Sequence, residues 1–392
     1  MKNFVFVFIV LLSFVFPAQS QDAPVMQKTA SGNELHVDLY SACKNKLSAI
    51  PFSMFADNVE FIPLETTDDC LLGETCKVSA ITQNDIFVFD YEKCYRFDRK
   101  GKFLNAIGAK GNGPGEYTRP MSAIVDTLNQ WIYFPDHWTG RLLKYDYSGN
   151  FLEESQPKGL SSNVWLHKPM EFLFGDSFYQ YAKKGERFSI SFYSLNEKRL
   201  LSKMRCEYEK DIPKLMICIP NVYNYKGNTY VKDFWCDTIY QLTNPYKLVS
   251  HAIINRGRLG YRTQDDKSLI SGVEDSEERI TIAVHSIAET DRFIFIGSNQ
   301  GRIVYDKKSD KTIAANYDVH FMDDLYGSPG LVYFVSTTNG NEVYQAIHAY
   351  EFIENGDGKH SITDARYDAY RKMVDGLDEE DNPVIMIVKI KR

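Results

Sequence analysis

The chain has no CxxC pair, no GxSxG elbow and no GK[ST] phosphate loop anywhere in its 392 residues. Those absences remove paired-thiolate zinc sites, the α/β-hydrolase nucleophile and the P-loop nucleotide enzymes from consideration. Basic charge is also short: 45 Lys and Arg stand against 52 Asp and Glu, a formal net charge of −7. Nucleic-acid binding rests on clustered cations that neutralise phosphates, so no nucleic-acid partner is expected. Cysteines are few and odd in number: Cys43, Cys70, Cys76, Cys94, Cys206, Cys218 and Cys236. An odd count leaves at least one thiol unpaired in a monomer. Several lie in strand-like runs, Cys218 in LMICIP among them, where a thiol acts as a small apolar side chain. Buried thiols are therefore expected rather than a disulfide framework. After the first 20 residues no apolar run approaches membrane-spanning length.

Those first 20 residues have the form of an export signal. Lys2 is followed by an apolar run, Phe4–Phe16, broken only by Ser13, and Pro17 precedes the small-x-small triplet Ala18-Gln19-Ser20. No cysteine stands near that cleavage point to accept a lipid. The expectation is a periplasmic or secreted monomer, not a lipoprotein, with no stable membrane span once the signal is removed. Residues 21–58 form a polar leader in which ELHVDL reads as one short strand, and residues 59–392 form the folded body.

One phrase is written twice. IFVFD then YRFDRKGKFL, over residues 86–104, returns as IYFPD then LKYDYSGNFL, over residues 132–152. Asp98, Gly101 and Phe103 recur 48 residues on as Asp146, Gly149 and Phe151. A unit of short strands joined by Asp-Gly turns cannot bury its own apolar face, and a repeat of that length is the period of a propeller blade. The predicted fold is an all-β, six-bladed β-propeller. Unit one is KVSAIT, IFVFD, CYRFD and FLNAIG; unit two is SAIVDT, WIYFPD, RLLKYD and NFLEES. Unit three is read as EFLFG, SFYQYA, SISFYSL and RLLSKM, and unit four as ICIPNVY, NTYVKDFW, TIYQL and KLVSHAI. Unit five is RITIAVHSI, RFIFIG, RIVYD and KTIAANY; unit six starts with HFMDDLYG and LVYFVST. Over residues 341–381 the apolar period changes from two to about 3.6, which predicts a helical insert in the last blade. Val343, Ala346, Ile347, Tyr350 and Ile353 mark its first stripe. The apolar tail PVIMIVKIKR then needs a partner strand, and VEFIPLE at Val59–Glu65 supplies one, so strands from both chain ends close the ring.

The segment GKFLNAIGAKGNGPGEYTRP, Gly101–Pro120, with IPLETTDD at Ile62–Asp69 and EEDNPVIMIVKIK at Glu379–Lys391, resembles the bacterial exported six-bladed propellers related to NHL repeats and the TolB-like propellers. The resemblance runs from about Val59 to Arg392 and implies the fold; that family has no single activity to lend.

The Gly-rich stretch KGNGPGEY leads from strand to strand rather than strand to helix, which makes it a blade connection and not a phosphate cradle. In a propeller the connections between blades share one face with the turns between the second and third strands. That placement brings together Tyr117, His137, Trp138, Arg141, Phe234 and Trp235 as candidates for sugar stacking or peptide anchoring. The plain alternative packs these aromatics between blades. The function expected is non-enzymatic recognition of a glycan, peptide or protein partner, with no cofactor. The alternative is a calcium-dependent, lactonase-like hydrolase or lyase, which requires donors converging on the central channel; Asp126, Glu171, His285 and Asp323 are the candidates on inner strands.

Overall fold

A computed structural model describes residues 23–178, 181–183, 185–206, 217–257, 260, 282–316, 321–331, 334–336, 340–355 and 365–392. The export signal lies outside these residues. Alternating apolar runs form six four-stranded antiparallel blades around a centre, and the molecule is a six-bladed β-propeller. Blade one takes Lys77–Ile81, Asp85–Phe89, Cys94–Asp98 and Phe103–Ile107 from the inside outward. Blade two takes Ile124–Asp126, Trp131–Asp136, Arg141–Asp146 and Phe151–Ser155. The second strands of both are almost wholly buried, because each faces neighbouring blades on both sides.

The turns of the repeat behave as their residues require. Asp98 Oδ1 accepts the Lys100 and Lys102 amides at 2.7 and 3.0 Å, and Asp146 Oδ1 accepts those of Ser148 and Asn150 at 2.9 Å each. Gly101 and Gly149 take the positive φ between, at 84° and 90°.

Blade three differs from its sequence reading by one strand. Its inner strand is Asn163–Lys168, and Glu171–Gly175 is second rather than innermost. SFYQYA is not a blade strand: Ser177 and Phe178 begin the turn that leads to Phe188–Ser194, with Asp176 accepting the Phe178 amide at 2.8 Å. The inner strand was hidden because Asn163, His167 and Lys168 break the apolar alternation. Blades four and five follow the expected order, from Asn221–Tyr225 to Lys247–Asn255 and from Val284–Glu289 to Lys311–Ala315.

Blade six consists of Val335–Ser336, Glu342–Ile347, Val384–Ile390 and Ala56–Pro63. The N-terminal strand pairs antiparallel with the C-terminal one, Ile62 opposite Ile385 and Val59 opposite Val388, and closes the ring. The stripe assigned to a helix from Val343 is a strand as far as Ile347. Its helix-like spacing yields to pairing with the β-branched run Val384–Ile390. The insert begins only at helix α2, Ala349–Asn355, and continues in α3, Ala365–Val374; Ile362, expected in the second helix, lies outside the described residues. HFMDDLYG lies off the blades, with Phe321–Met322 pairing in parallel with Ile50–Pro51 of the leader.

The leader is a strap along the outside of the ring. Met26 donates to the Lys203 carbonyl of blade three at 2.8 Å. Gln27–Thr29 and Leu35–Asp38 then pair in parallel with the outer strand of blade four, and the Leu47 amide reaches Ala314 of blade five at 2.8 Å. It covers strand edges that would otherwise offer unpaired amides and carbonyls. Among the described residues no helix is long and apolar enough to cross a membrane.

Candidate functional site

Antiparallel order puts the blade-to-blade connections and the second-to-third-strand turns at one end of the propeller. At that end of blade two, Asp136 closes the second strand with a fully buried carboxylate. Its Oδ2 accepts the Thr118 amide at 2.8 Å and the Thr118 hydroxyl at 2.7 Å. Burial alone would raise this carboxyl, but the Thr118 bonds outweigh it and hold it below the usual range. Asp136 thus rivets the connection from blade one to the turn over residues 137–140. Arg141 supports the same turn: Nε donates to Thr139 Oγ1 at 3.0 Å, Nη1 to Glu154 Oε2 at 3.3 Å, and Nη2 lies 3.6 Å from Asp136 Oδ2.

His137 and Trp138 stand on this base with ring centroids 5.0 Å apart. His137 is half-buried, and burial lowers its imidazole pKa. Trp138 is 49% exposed, with the Arg119 guanidinium 5.9 Å from its ring centroid. Asp136 Oδ1, His137 Nδ1 and Ser122 Oγ are buried here without a hydrogen-bond partner. Such atoms are rare in folded proteins, and three on two adjoining loops mark the spot.

The remaining aromatic candidates are core. Tyr117 is fully buried, its ring 4.6 Å from Phe134 and its hydroxyl donating to the Glu92 carbonyl at 2.7 Å. The reason is local: the Tyr117 amide bonds to Ala109, folding the GPGEY loop back and driving the ring under Gly108. Phe234 and Trp235 pack with Cys206 and Cys218 in a buried cluster. The loop-face set therefore reduces to His137, Trp138 and Arg141, joined by Arg119, which the sequence reading passed over. Its signal was its place beside Pro120 at the end of the loop already singled out.

The four candidate metal donors do not converge. Asp126 closes a hairpin, Oδ1 accepting the Leu128 and Asn129 amides at 3.1 Å each. Asp323 sits on a connection rather than an inner strand and is used by the Leu325 and Tyr326 amides and the Ser328 hydroxyl. Glu171 is on a second strand, and His285 alone is exposed on an inner one. Among the described residues no three His, Cys, Asp or Glu side chains are grouped as a metal set.

One buried polar cluster escaped the sequence altogether. Between blades four and five, at the opposite end of the ring, Glu289 is wholly buried. It accepts from Tyr223 Oη at 2.7 Å, His251 Nε2 at 2.9 Å and Lys307 Nζ at 2.5 Å. Its donors come from positions scattered along the chain, with no spacing to betray them.

The family model of a domain of unknown function, DUF4934, matches residues 35–389. The chain belongs to that family. A Bacteroides fragilis protein thought to be exported is similar in fold, with a TM-score of 0.68 at 20% identity over 92% of this chain and 100% of its own. A DUF4221 family member from Bacteroides vulgatus has a TM-score of 0.51 at 10% identity over 86% of this chain and 97% of its own. Both likenesses are of fold. No curated protein matches the chain.

Proposed function

We propose that this DUF4934 propeller is an exported, non-enzymatic recognition or scaffold module that binds a glycan, peptide or protein partner through its loop face. The observation that carries the proposal is Trp138, a large exposed indole held on a buried, riveted base. An aromatic fixed before binding loses little entropy on contact, which makes it a good anchor. The asymmetry of the molecule supports the same face. Leu71, Met121, Trp138, Tyr181, Ile217 and Ile219 expose apolar surface at the loop end, against Leu128 and Tyr246 at the other. Export and the NHL-type kinship belong to the same reading, supported by the Ala18-Gln19-Ser20 site and the GPGEY loop. A calcium-dependent hydrolase gains no support from four donors that lie apart and are largely taken up by turns.

Glycan and peptide arrays probed with the mature protein and with Trp138→Ala test this directly. Loss of an anchoring Trp costs about 2 kcal/mol or more, so probes held by the wild type should bind the variant roughly thirtyfold less tightly. The melting temperature should stay nearly unchanged, because an exposed side chain contributes little to stability. Equal binding by both proteins, or a calcium-dependent thermal shift lost with Asp126→Asn, would defeat the proposal.

A further inference from the structure

We propose that the partner is an acidic polypeptide and that Arg119 reads an Asp or Glu carboxylate on it, an inference that rests on the recognition role of the loop face. Arg119 is exposed, and its guanidinium makes no hydrogen bond or ion pair among the described residues. That sets it apart in a chain rich in carboxylates: Arg96 is paired with Asp85, Arg199 with Glu197 and Arg292 with Asp306. Its neighbour Arg141 is committed to Asp136 and Glu154. The one contact Arg119 makes, over Trp138, uses no N–H group, so all five donors remain for a bidentate carboxylate.

The site is also stiff. Pro120 restricts the backbone of Arg119, and Asp136 pins Thr118 on its other side. A cation held in place before binding loses less on capture than a free surface lysine. A polypeptide is favoured over an acidic sugar by what surrounds the cation. Met121, Ile217 and Ile219 are exposed aliphatic side chains at the same end of the propeller. Aliphatic surface is covered by apolar side chains, which a polypeptide has and a uronic acid lacks. The partnerless Asp136 Oδ1, His137 Nδ1 and Ser122 Oγ are polar atoms of the kind that main-chain amides and carbonyls of a bound strand satisfy.

The test uses fluorescein-labelled peptides with blocked ends, a library carrying Asp or Glu within apolar sequence, the matching Asn or Gln isosteres, and oligogalacturonate as the acidic sugar. Anisotropy is measured with the mature wild type, Arg119→Gln, Arg119→Lys and Trp138→Ala. Acidic peptides should bind, their amide isosteres roughly ten- to a hundredfold more weakly, and Arg119→Gln should erase that difference while Arg119→Lys retains part of it. Added salt should weaken the acidic peptides selectively. Isosteres that bind as tightly as the acids, or Arg119→Gln that discriminates like wild type, would overturn the proposal. If Trp138→Ala still weakens that binding, the recognition role of the face survives the failure. Binding of oligogalacturonate but no peptide through Arg119 would overturn the polypeptide assignment, and no binding by any probe would overturn the proposal whole.

Discussion

Replacing Glu289 by alanine should destabilise the propeller by ~3–5 kcal/mol, the usual result of removing one member of a buried ion pair and stranding the other. Lys307 Nζ would keep only the Thr290 carbonyl, at 2.7 Å, and Tyr223 and His251 would each lose the oxygen they meet. These groups belong to blades four and five, so the loss falls on the seam between them and not on a single sheet. Glu289→Gln keeps the volume but turns an amide against three donors, and it should also melt well below wild type. Adding Lys307→Met to Glu289→Ala should recover part of the loss, since the stranded ammonium is then gone. A double variant no more stable than Glu289→Ala would show that the ammonium is not what the carboxylate serves.

The same carboxylate sets a pH dependence. Burial pushes Glu289 upward, but the His251 hydrogen bond and the charge of Lys307 outweigh it and hold the carboxyl below its ordinary value. A carboxyl whose folded pKa lies below its unfolded one contributes stability above the unfolded value, near 4.3, and loses it as pH falls through the folded one. The gap in melting temperature between wild type and Glu289→Gln should therefore be widest near neutrality and shrink on acidification below about pH 4. A constant gap across that range would place the Glu289 effect in packing and not in charge.

How much of this was legible in the sequence depended on range. Blades one and two were readable because each strand alternates and each turn carries its own Asp and Gly, all within a few residues. The closing strand was readable because an apolar tail with no partner required one. Blade three's inner strand was not, because His167 takes its partner, Thr229 at 2.8 Å, from blade four, and polar residues at a blade interface look like loop in one dimension. Glu342–Ile347 was misread because short apolar spacing fits two periods until a neighbouring strand decides between them. The loop aromatics show the same limit: Tyr117 and Trp138 are both aromatic residues in connections, and only the fold turns one inward and leaves the other in water. Glu289, with donors at positions 223, 251 and 307, was beyond any local reading.

Gly101→Val should be the most damaging change in the repeated turns, and the comparison with Gly149 shows why. Both glycines have positive φ, where any side chain is strained by roughly 1–2 kcal/mol and a β-branched one by more. The surroundings then separate them. A Cβ on Gly149 would sit 3.1 Å from the Ala106 carbonyl oxygen, tight but open to a small shift. A Cβ on Gly101 would run into the Pro63 carbonyl oxygen, a backbone atom at the end of the ring-closing strand. That strand is fixed on its other side by Val384–Ile390, and the Gly101 carbonyl itself accepts the Glu65 amide at 2.8 Å. Glu65 Oε2 in turn accepts the Phe103 amide at 2.8 Å, so the turn and the closing strand hold each other across the join of blades one and six. Relief of the clash must therefore open the seam that closes the propeller. The expected loss is about 4 kcal/mol or more for Gly101→Val, from conformational strain and overpacking together, with Gly149→Val costing clearly less. Chemical denaturation of the two variants beside wild type measures both. Equal losses would mean that the strained φ alone sets the cost and that the approach of Pro63 to Gly101 adds nothing.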